Sequence, residues 1–143
     1  MKPIQNLNYQ LIQADKKNDK LLNSKWTYAE GRIFLKTRIQ DKNSIFLVAE
    51  FEGELVGYLT GSIIKIQSWR PVRRTEIEEM FVKKNFRSRG VGSKLVKKFI
   101  EWSRKKRAGR ILVIVYAENK KGITFYKKLG FFEDKNELEM EVR

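Results

Sequence analysis

The sequence predicts one α/β (α+β) domain built on a mixed, mostly antiparallel sheet. Three observations carry that expectation. The 143 residues suit a single hydrophobic core. Two apolar runs, 44–51 and 55–66, flank the turn Glu52-Gly53-Glu54 and read as a hairpin, because glycine accepts the positive φ of a tight turn. Between 75 and 117 a strand, a glycine-bearing loop, a helix and a β-branched run follow in that order. This is a βαβ unit, whose two strands run parallel.

The elements follow along the chain. Residues 7–14 are β-tending, and Asp15 stands where it can cap a following helix. Residues 15–40 carry scattered apolar positions (Leu21, Leu22, Trp26, Ile33, Phe34, Ile39) and read as two short helices. Gly57 and Gly61, inside the second hairpin strand, suggest a bulge or a bend. Residues 67–74 form a loop with Trp69, Pro71 and three arginines, and 75–82 a strand. Residues 91–107 read as a helix with Val91, Leu95, Val96, Phe99 and Ile100 on one face, and Gly109 falls near its C-cap. The continuous apolar run 111–117 predicts a strand covered on both faces. Asn119 can cap a helix running to Leu129, and Gly130 ends it. Residues 131–132 and 137–142 are expected as closing strands. The sequence shows no repeat, low-complexity tract or Pro-rich linker, so 1–143 reads as one domain.

Composition removes much chemistry. With no cysteine and no histidine, thiolate nucleophiles, disulfides, Cys-ligated zinc and a Ser-His-Asp triad are excluded. No metal ligand set is expected. An acid or base must be Glu, Asp, Tyr, Lys, a terminus or water. The longest apolar run, 111–117, is far shorter than the ~20 residues of a membrane helix. The opening Met1-Lys2-Pro3-Ile4 lacks the apolar run of a signal peptide, so a cytoplasmic location is the expectation.

The net charge is +14, and its placement matters more than its size. Residues 83–128 hold 16 Lys and Arg against two acids, Glu101 and Glu118. The whole excess therefore sits in one segment. It is either a solvated basic face or a site for a polyanion such as a nucleotide cofactor, a nucleic acid or an acidic protein.

The loop Arg87-Ser88-Arg89-Gly90-Val91-Gly92 lies inside that segment, between a strand and a helix. A helix N-terminus leaves backbone N–H groups unpaired and carries roughly half a positive charge. Glycines let an anionic phosphate approach those groups, and Arg87 and Arg89 add charge-assisted donors. A dinucleotide fingerprint would need a glycine where Leu95 stands, and a Walker loop one where Arg87 stands. A glycine-rich helix start without a ligand is the structural alternative.

These residues resemble a family. Arg-x-x-Gly-x-Gly after a strand that ends Glu78-Glu79-Met80-Phe81-Val82 resembles the acetyl-CoA loop of the GNAT superfamily of N-acetyltransferases. Ala117-Glu118-Asn119 and then Phe125-Tyr126-Lys127-Lys128-Leu129-Gly130-Phe131 resemble its second signature. The motif core covers about 75–132, and residues 1–70 match in topology alone. The resemblance implies a GNAT-like mixed sheet with a central parallel βαβ unit and helices on both faces. It implies acetyl-CoA as cosubstrate and direct transfer of acetyl to a primary amine in a ternary complex. It also implies a cofactor site of Met80, Phe81 and Val82, of Arg87, Ser88, Arg89, Gly90, Val91, Gly92 and Ser93, and of Asn119 and Tyr126. Met80 and Val82 would contribute backbone groups, exposed by a splay of the two parallel strands.

Acetyl transfer to an amine requires the amine to lose a proton, and the departing thiolate benefits from gaining one. A lysine-like amine has a pKa of ~10.4, so it is almost wholly protonated at neutral pH. Glu76, Glu78 and Glu79 are the carboxylates beside the basic segment. Strand alternation predicts Glu76 and Glu78 on one face and Glu79 on the other. Spermidine/spermine acetyltransferases carry a proposed base at the position of Glu78, which makes Glu78 the first candidate base and Glu79 the second. Pairing with Arg73, Arg74 or Lys83 is the structural alternative for these acids. Tyr126 is the candidate acid by resemblance. Helical spacing of Ile123, Tyr126 and Leu129 also fits a core aromatic, and Asn119 also fits a plain helix cap.

Two other classes of function fit parts of the sequence: a basic nucleic-acid or ribosome binder, and an acyl-CoA sensor without catalysis. The acceptor stays open among a protein N-terminus, a lysine, a polyamine or another small amine. The oligomeric state is open as well, a homodimer included.

Overall fold

The computed structural model describes residues 1–143. It opens with helix α1, Lys2–Asp15, which corrects the β reading of 7–14. Pro3 lies in the first turn, where its missing N–H costs no hydrogen bond. Ile4, Leu7, Leu11 and Ile12 share the side that packs inward, at helical spacing. Asp15 ends this helix instead of capping another. Of the two helices expected over 15–40 one forms, α2 at Glu30–Gln40. The other is replaced by a linking segment with a single 3-10 turn, Trp26–Tyr28. Gly31 is required there because a Cβ would lie 2.6 Å from the ring of Trp26.

Four strands follow: β1 Ser44–Phe51, β2 Glu54–Ile64, β3 Arg74–Val82 and β4 Arg110–Val113. They are ordered β1-β2-β3-β4, with β4 parallel to β3 and the other pairs antiparallel. The hairpin turn has φ of 50° at Glu52 and 81° at Gly53, the left-handed pair that matches strand twist. Helix α3, Val91–Lys105, makes the crossover from β3 to β4, and α4 spans Lys120–Lys128. The parallel unit forms as expected, but at one edge of the sheet, since only β3 pairs with β4.

Helices cover both faces. On one face Leu7 of α1 packs with Tyr58 and Phe81. On the other, Leu95, Val96 and Phe99 of α3 pack with Leu59, Ile77 and Tyr126. Two sequence expectations near α3 change. The left-handed residue after it is Arg107, with φ of 61°. Gly109 is needed instead for close approach: its N–H donates to Arg73 O at 2.8 Å, and a Cβ would lie 2.9 Å from Val72. The expected strand 111–117 stops at Val113, and Ile114 is 73% exposed. Residues 131–132 and 137–142 form no strand, because no neighbouring backbone pairs with them. The helix cap expected at Asn119 is present, its side chain accepting from Gly122 N–H at 3.0 Å, and Gly130 ends α4 with φ of 104°.

Candidate active site: a cleft where two parallel strands part

The β3–β4 ladder runs from Arg74↔Arg110 to Ile77↔Val113 and stops. At the next residue β3 carries a bulge: Ile77 pairs with Gly61 and Glu79 with Thr60, so Glu78 is the extra residue. A bulge bends its strand and sharpens the local twist. β4 does not follow the bend, and the two strands separate. Gly61 permits the tight crossing, since a Cβ there would collide with the Glu76 carbonyl and the Phe99 ring.

The bulge also changes which way side chains point. Thr75 and Ile77 face α3, where Thr75 shares a 2.7 Å hydrogen bond with Ser103. After the extra residue the phase shifts, so Met80 and Val82 face α3 while Glu79 and Phe81 face α1. Glu76, Glu78 and Glu79 therefore come to one side of the sheet. Strict alternation had separated Glu79 from the other two.

A cleft of about 480 Å³ occupies the space between the parted strands. β3 contributes Glu78, Glu79 and Met80, and the chain beyond β4 contributes Ile114, Val115 and Tyr116. Asn119 and Tyr126 line it from the α4 side, and Asp15, Leu22 and Trp26 from the side of α1.

The carboxylates differ sharply. Glu78 is held by Arg38 of α2 through two hydrogen bonds of 2.7 Å, Nε to Oε1 and an η-nitrogen to Oε2. Such a two-point fork is the strongest geometry a guanidinium offers a carboxylate. Of the partners expected from sequence, Lys83 pairs with Glu54 at 2.6 Å and Arg73 donates to Lys106 O, while the Arg74 charge acts on Glu76. Glu79 has no cationic partner. It accepts from Asn8 Nδ2 at 3.1 Å on both oxygens and from Tyr58 Oη at 3.1 Å. Burial pushes its pKa up to about 7, against the lowering effect of those two donors. Asn8 is itself fully buried, and its Oδ1 accepts from the Thr27 hydroxyl at 2.6 Å. Burial, with the Asp19 charge nearby, also raises the carboxyl of Asp15 at the cleft wall.

Tyr126 is 8% exposed and belongs to the α3-side core, edge-on to Phe125 and Phe131. The core-aromatic reading of this residue therefore holds, and the residue also lines the cleft. No protein group bonds its hydroxyl, and no buried polar atom lacks a partner, so that hydroxyl reaches the cleft surface. Burial raises its pKa to about 12, so the phenol stays protonated at neutral pH.

Beside the cleft, α3 begins at Gly90, whose φ of 81° is left-handed, and no side chain caps this end. The first intrahelical donor is Lys94 N–H, bonded to Gly90 O, which leaves the N–H groups of Val91, Gly92 and Ser93 without an acceptor in the chain. Around Gly90 a Cβ would meet nothing within 4 Å, so the approach is open. Ser88 is also left-handed, with φ of 61°. Gly92 packs closely, a Cβ there lying 3.4 Å from the Phe125 ring. Arg87 differs from expectation: its Nε donates to Val82 O at 2.8 Å and its guanidinium lies over the Phe81 ring, so it braces the loop. Arg89 lies over Phe86 and is exposed. The register adds one more feature. Lys83 N–H bonds Val56 O, so alternation along the ladder turns the backbone groups of Met80 and Val82 away from β2; the Val82 carbonyl is taken by Arg87, and the Val82 N–H and both groups of Met80 face the gap. These groups make a cradle that fits an anionic, extended cofactor.

The acetyltransferase (GNAT) family model matches residues 11–131. The chain belongs to the GNAT family. An uncharacterized N-acetyltransferase of Methanocaldococcus jannaschii is 38% identical to this GNAT chain over 104 residues, 72% of this chain and 46% of that protein. The thialysine N-epsilon-acetyltransferase of Sus scrofa is 36% identical over 76 residues, 53% of this chain and 44% of that enzyme. The chain thus spans less than half the length of these two relatives. Among solved structures, a mutant of the BH1408 protein from Bacillus halodurans superposes with a TM-score of 0.83 at 18% identity, covering 99% and 93% of the two chains. The aminoglycoside N-acetyltransferase AAC(6')-Iy, bound to a bisubstrate analogue of CoA, gives 0.74 at 20% identity, covering 99% and 90%. At such identities the likeness is one of fold. No helix of this GNAT domain is long and apolar enough to cross a membrane.

Sequence reasoning missed Asn8, Thr27, Tyr58 and Arg38, which fix the two carboxylates. One signal for Asn8 was present, a polar residue amid the inward positions Leu7, Leu11 and Ile12 of a helical pattern.

Proposed function

We propose that this protein is an acetyl-CoA-dependent N-acetyltransferase acting on a small primary amine. One observation carries the reading: Glu79 and Tyr126 line the same cleft, opened where β3 and β4 part after Ile77↔Val113. The free N–H groups at the start of α3, with Gly90, Gly92 and the basic loop, fit a diphosphate. Met80 and Val82 would hold the pantetheine arm through backbone groups, and Asn119 would flank it. Bound acetyl-CoA supplies an activated thioester acetyl group.

Glu79 is the base in this reading. Its carboxylate, raised to about 7, takes a proton from the acceptor ammonium, directly or through water, and the freed amine forms the new C–N bond as the C–S bond breaks. A carboxylate near 7 is better matched to this task than an ordinary one. Glu78, tied at both oxygens by Arg38, helps hold an acidic wall. Tyr126 gives its phenolic proton to the departing sulfur and regains one from the nitrogen, which sheds its second proton as the amide forms. Asp15, Glu78 and Glu79 favour an acceptor that arrives as a cation. Thialysine and aminoglycosides, named for the pig and AAC(6')-Iy enzymes, are both of that kind.

The test is thiol release from acetyl-CoA across lysine analogues, polyamines, aminoglycosides and peptide N-termini. Turnover on at least one amine is expected, with loss in Glu79→Gln. Coenzyme A binding without turnover on any amine would point to a sensor, and salt-sensitive nucleic-acid binding without thiol release to a basic binder.

A further inference from the structure

Side chains from three elements join at the cleft wall in one connected network. The Thr27 hydroxyl donates to Asn8 Oδ1 at 2.6 Å. Asn8 Nδ2 donates to Tyr58 Oη at 3.1 Å and to both Glu79 oxygens at 3.1 Å. The Tyr58 hydroxyl donates to Glu79 Oε1 at 3.1 Å. Thr27, Asn8 and Tyr58 are fully buried, and Glu79 alone opens to the cleft. Thr27 and Tyr58 each bring one hydrogen and the Asn8 amide two. All of them run one way, from Thr27 through Asn8 and Tyr58 to the carboxylate. The reverse amide orientation would set Asn8 Oδ1 against an ionised carboxylate. It would also turn both N–H groups to a hydroxyl with a single oxygen to offer. An ionised Glu79 therefore requires the orientation seen, and the Thr27 hydrogen holds it.

We propose that Thr27 is a positioning residue for Glu79: by anchoring the Asn8 carbonyl it keeps the Asn8 N–H groups turned to the carboxylate. Its catalytic meaning rests on Glu79 being the base. Hydrogen bonds to a carboxylate favour its charged form, while burial opposes that form. In Glu79 burial is the larger effect and lifts the pKa to about 7, with Tyr58 and Asn8 pulling it down. Without the anchor the Asn8 carbonyl is left unpaired in a buried site, and the amide loses its fixed place. The bonds to Glu79 weaken and its pKa rises further. The other charged or titratable groups around Glu79 stay as they are. They are Glu78 on β3 with Arg38 of α2, Asp15 on α1, and, elsewhere on the cleft wall, Tyr126 and the Tyr116–Asp19 pair. The Thr27 hydroxyl reaches none of them, since Asn8 is its single partner. The anchor belongs to the 3-10 turn Trp26–Tyr28, whose Trp26 lines the cleft. The segment that walls the site thus also orients its base.

The test separates the hydroxyl of Thr27 from its methyl. Thr27→Val keeps the shape and removes the hydroxyl, and Thr27→Ser does the reverse. Glu79 is titrated in the full chain by NMR of the glutamate carboxyl carbons, its resonance identified by its loss in Glu79→Gln. The midpoint should rise in Thr27→Val by about half a pH unit or more and stay in place in Thr27→Ser. The pH inflection of acetyl transfer should move with it. Thr27→Ala should titrate as Thr27→Val does, and it supplies the comparison if Thr27→Val does not fold. An unmoved midpoint without the hydroxyl, or an equal rise in Thr27→Ser, overturns the proposal and leaves the bond a plain tie between α1 and the linking segment. A raised midpoint with an unmoved rate inflection upholds the positioning role and strikes Glu79 as the base.

Discussion

The side-chain amide of Asn8 lies 3.1 Å from each carboxylate oxygen of Glu79, joining α1 to β3 across 71 residues of sequence. The same amide meets Tyr58 Oη at 3.1 Å, and the Asn8 carbonyl takes the Thr27 hydroxyl. Asn8→Leu should strand two buried partners and the carboxylate. We expect a loss of about 1–3 kcal/mol, the usual cost of orphaned buried polar groups, read as a lower urea midpoint with an unchanged slope.

Glu79→Gln should lower kcat by about 10²-fold or more, the usual worth of a positioned base. In the unaltered protein the rate should rise with pH through about 7, where Glu79 ionises, and the variant should lack that inflection. Stability moves the other way. The folded-state pKa is raised from 4.5 to about 7, so the folded state holds the extra proton between those values. Stability should be greatest below pH 4.5, as far as this group is concerned, and fall as pH rises to 7. Glu79→Gln should flatten that fall in thermal melts.

Glu78→Gln should keep the rate inflection near pH 7, because Glu79 remains. It weakens the two-point bond to Arg38, both side chains being largely covered, at 23% and 16% exposed. A cost of about 1.5–3 kcal/mol is expected, the range for hydrogen bonds to charged groups. Loss of the inflection in this variant would instead make Glu78 the base.

Tyr126→Phe removes a hydroxyl that no protein group bonds. Its melting temperature should be nearly unchanged, and coenzyme A affinity with it. Single-turnover acetyl transfer should slow, most strongly with thioesters whose thiolate is the poorer leaving group.

Gly92→Asp places a carboxylate among the free N–H groups of α3. A Cβ there lies at ordinary contact distance from Phe125, 3.4 Å, so folding should survive. Coenzyme A binding, measured by calorimetry, should weaken at least about tenfold through charge repulsion at the helix terminus.

Local signals were legible where one neighbour decides the conformation. The Glu52-Gly53 turn, the apolar stripe of α3, the cap at Asn119 and the glycines before α3 each depend on residues a few positions away. The β reading of 7–14 passed over a local signal of the same kind, Pro3 with the helical spacing of Ile4, Leu7, Leu11 and Ile12. Residues 137–142 show the opposite case, a strand pattern without a strand, since a strand exists only with a partner.

Composition and short-range pattern by themselves determined the available chemistry, carboxylates and phenols without thiols or imidazoles, and the βαβ unit that presents the basic glycine loop. Tertiary structure alone decided which carboxylate stays unpaired. One extra residue at Glu78 re-phases β3, sending Glu79 to the part-buried network of Asn8 and Tyr58 while Arg38, 40 residues away, takes Glu78. Desolvation and hydrogen bonding act through space, so a carboxylate's proton affinity belongs to its surroundings and not to its place in the chain.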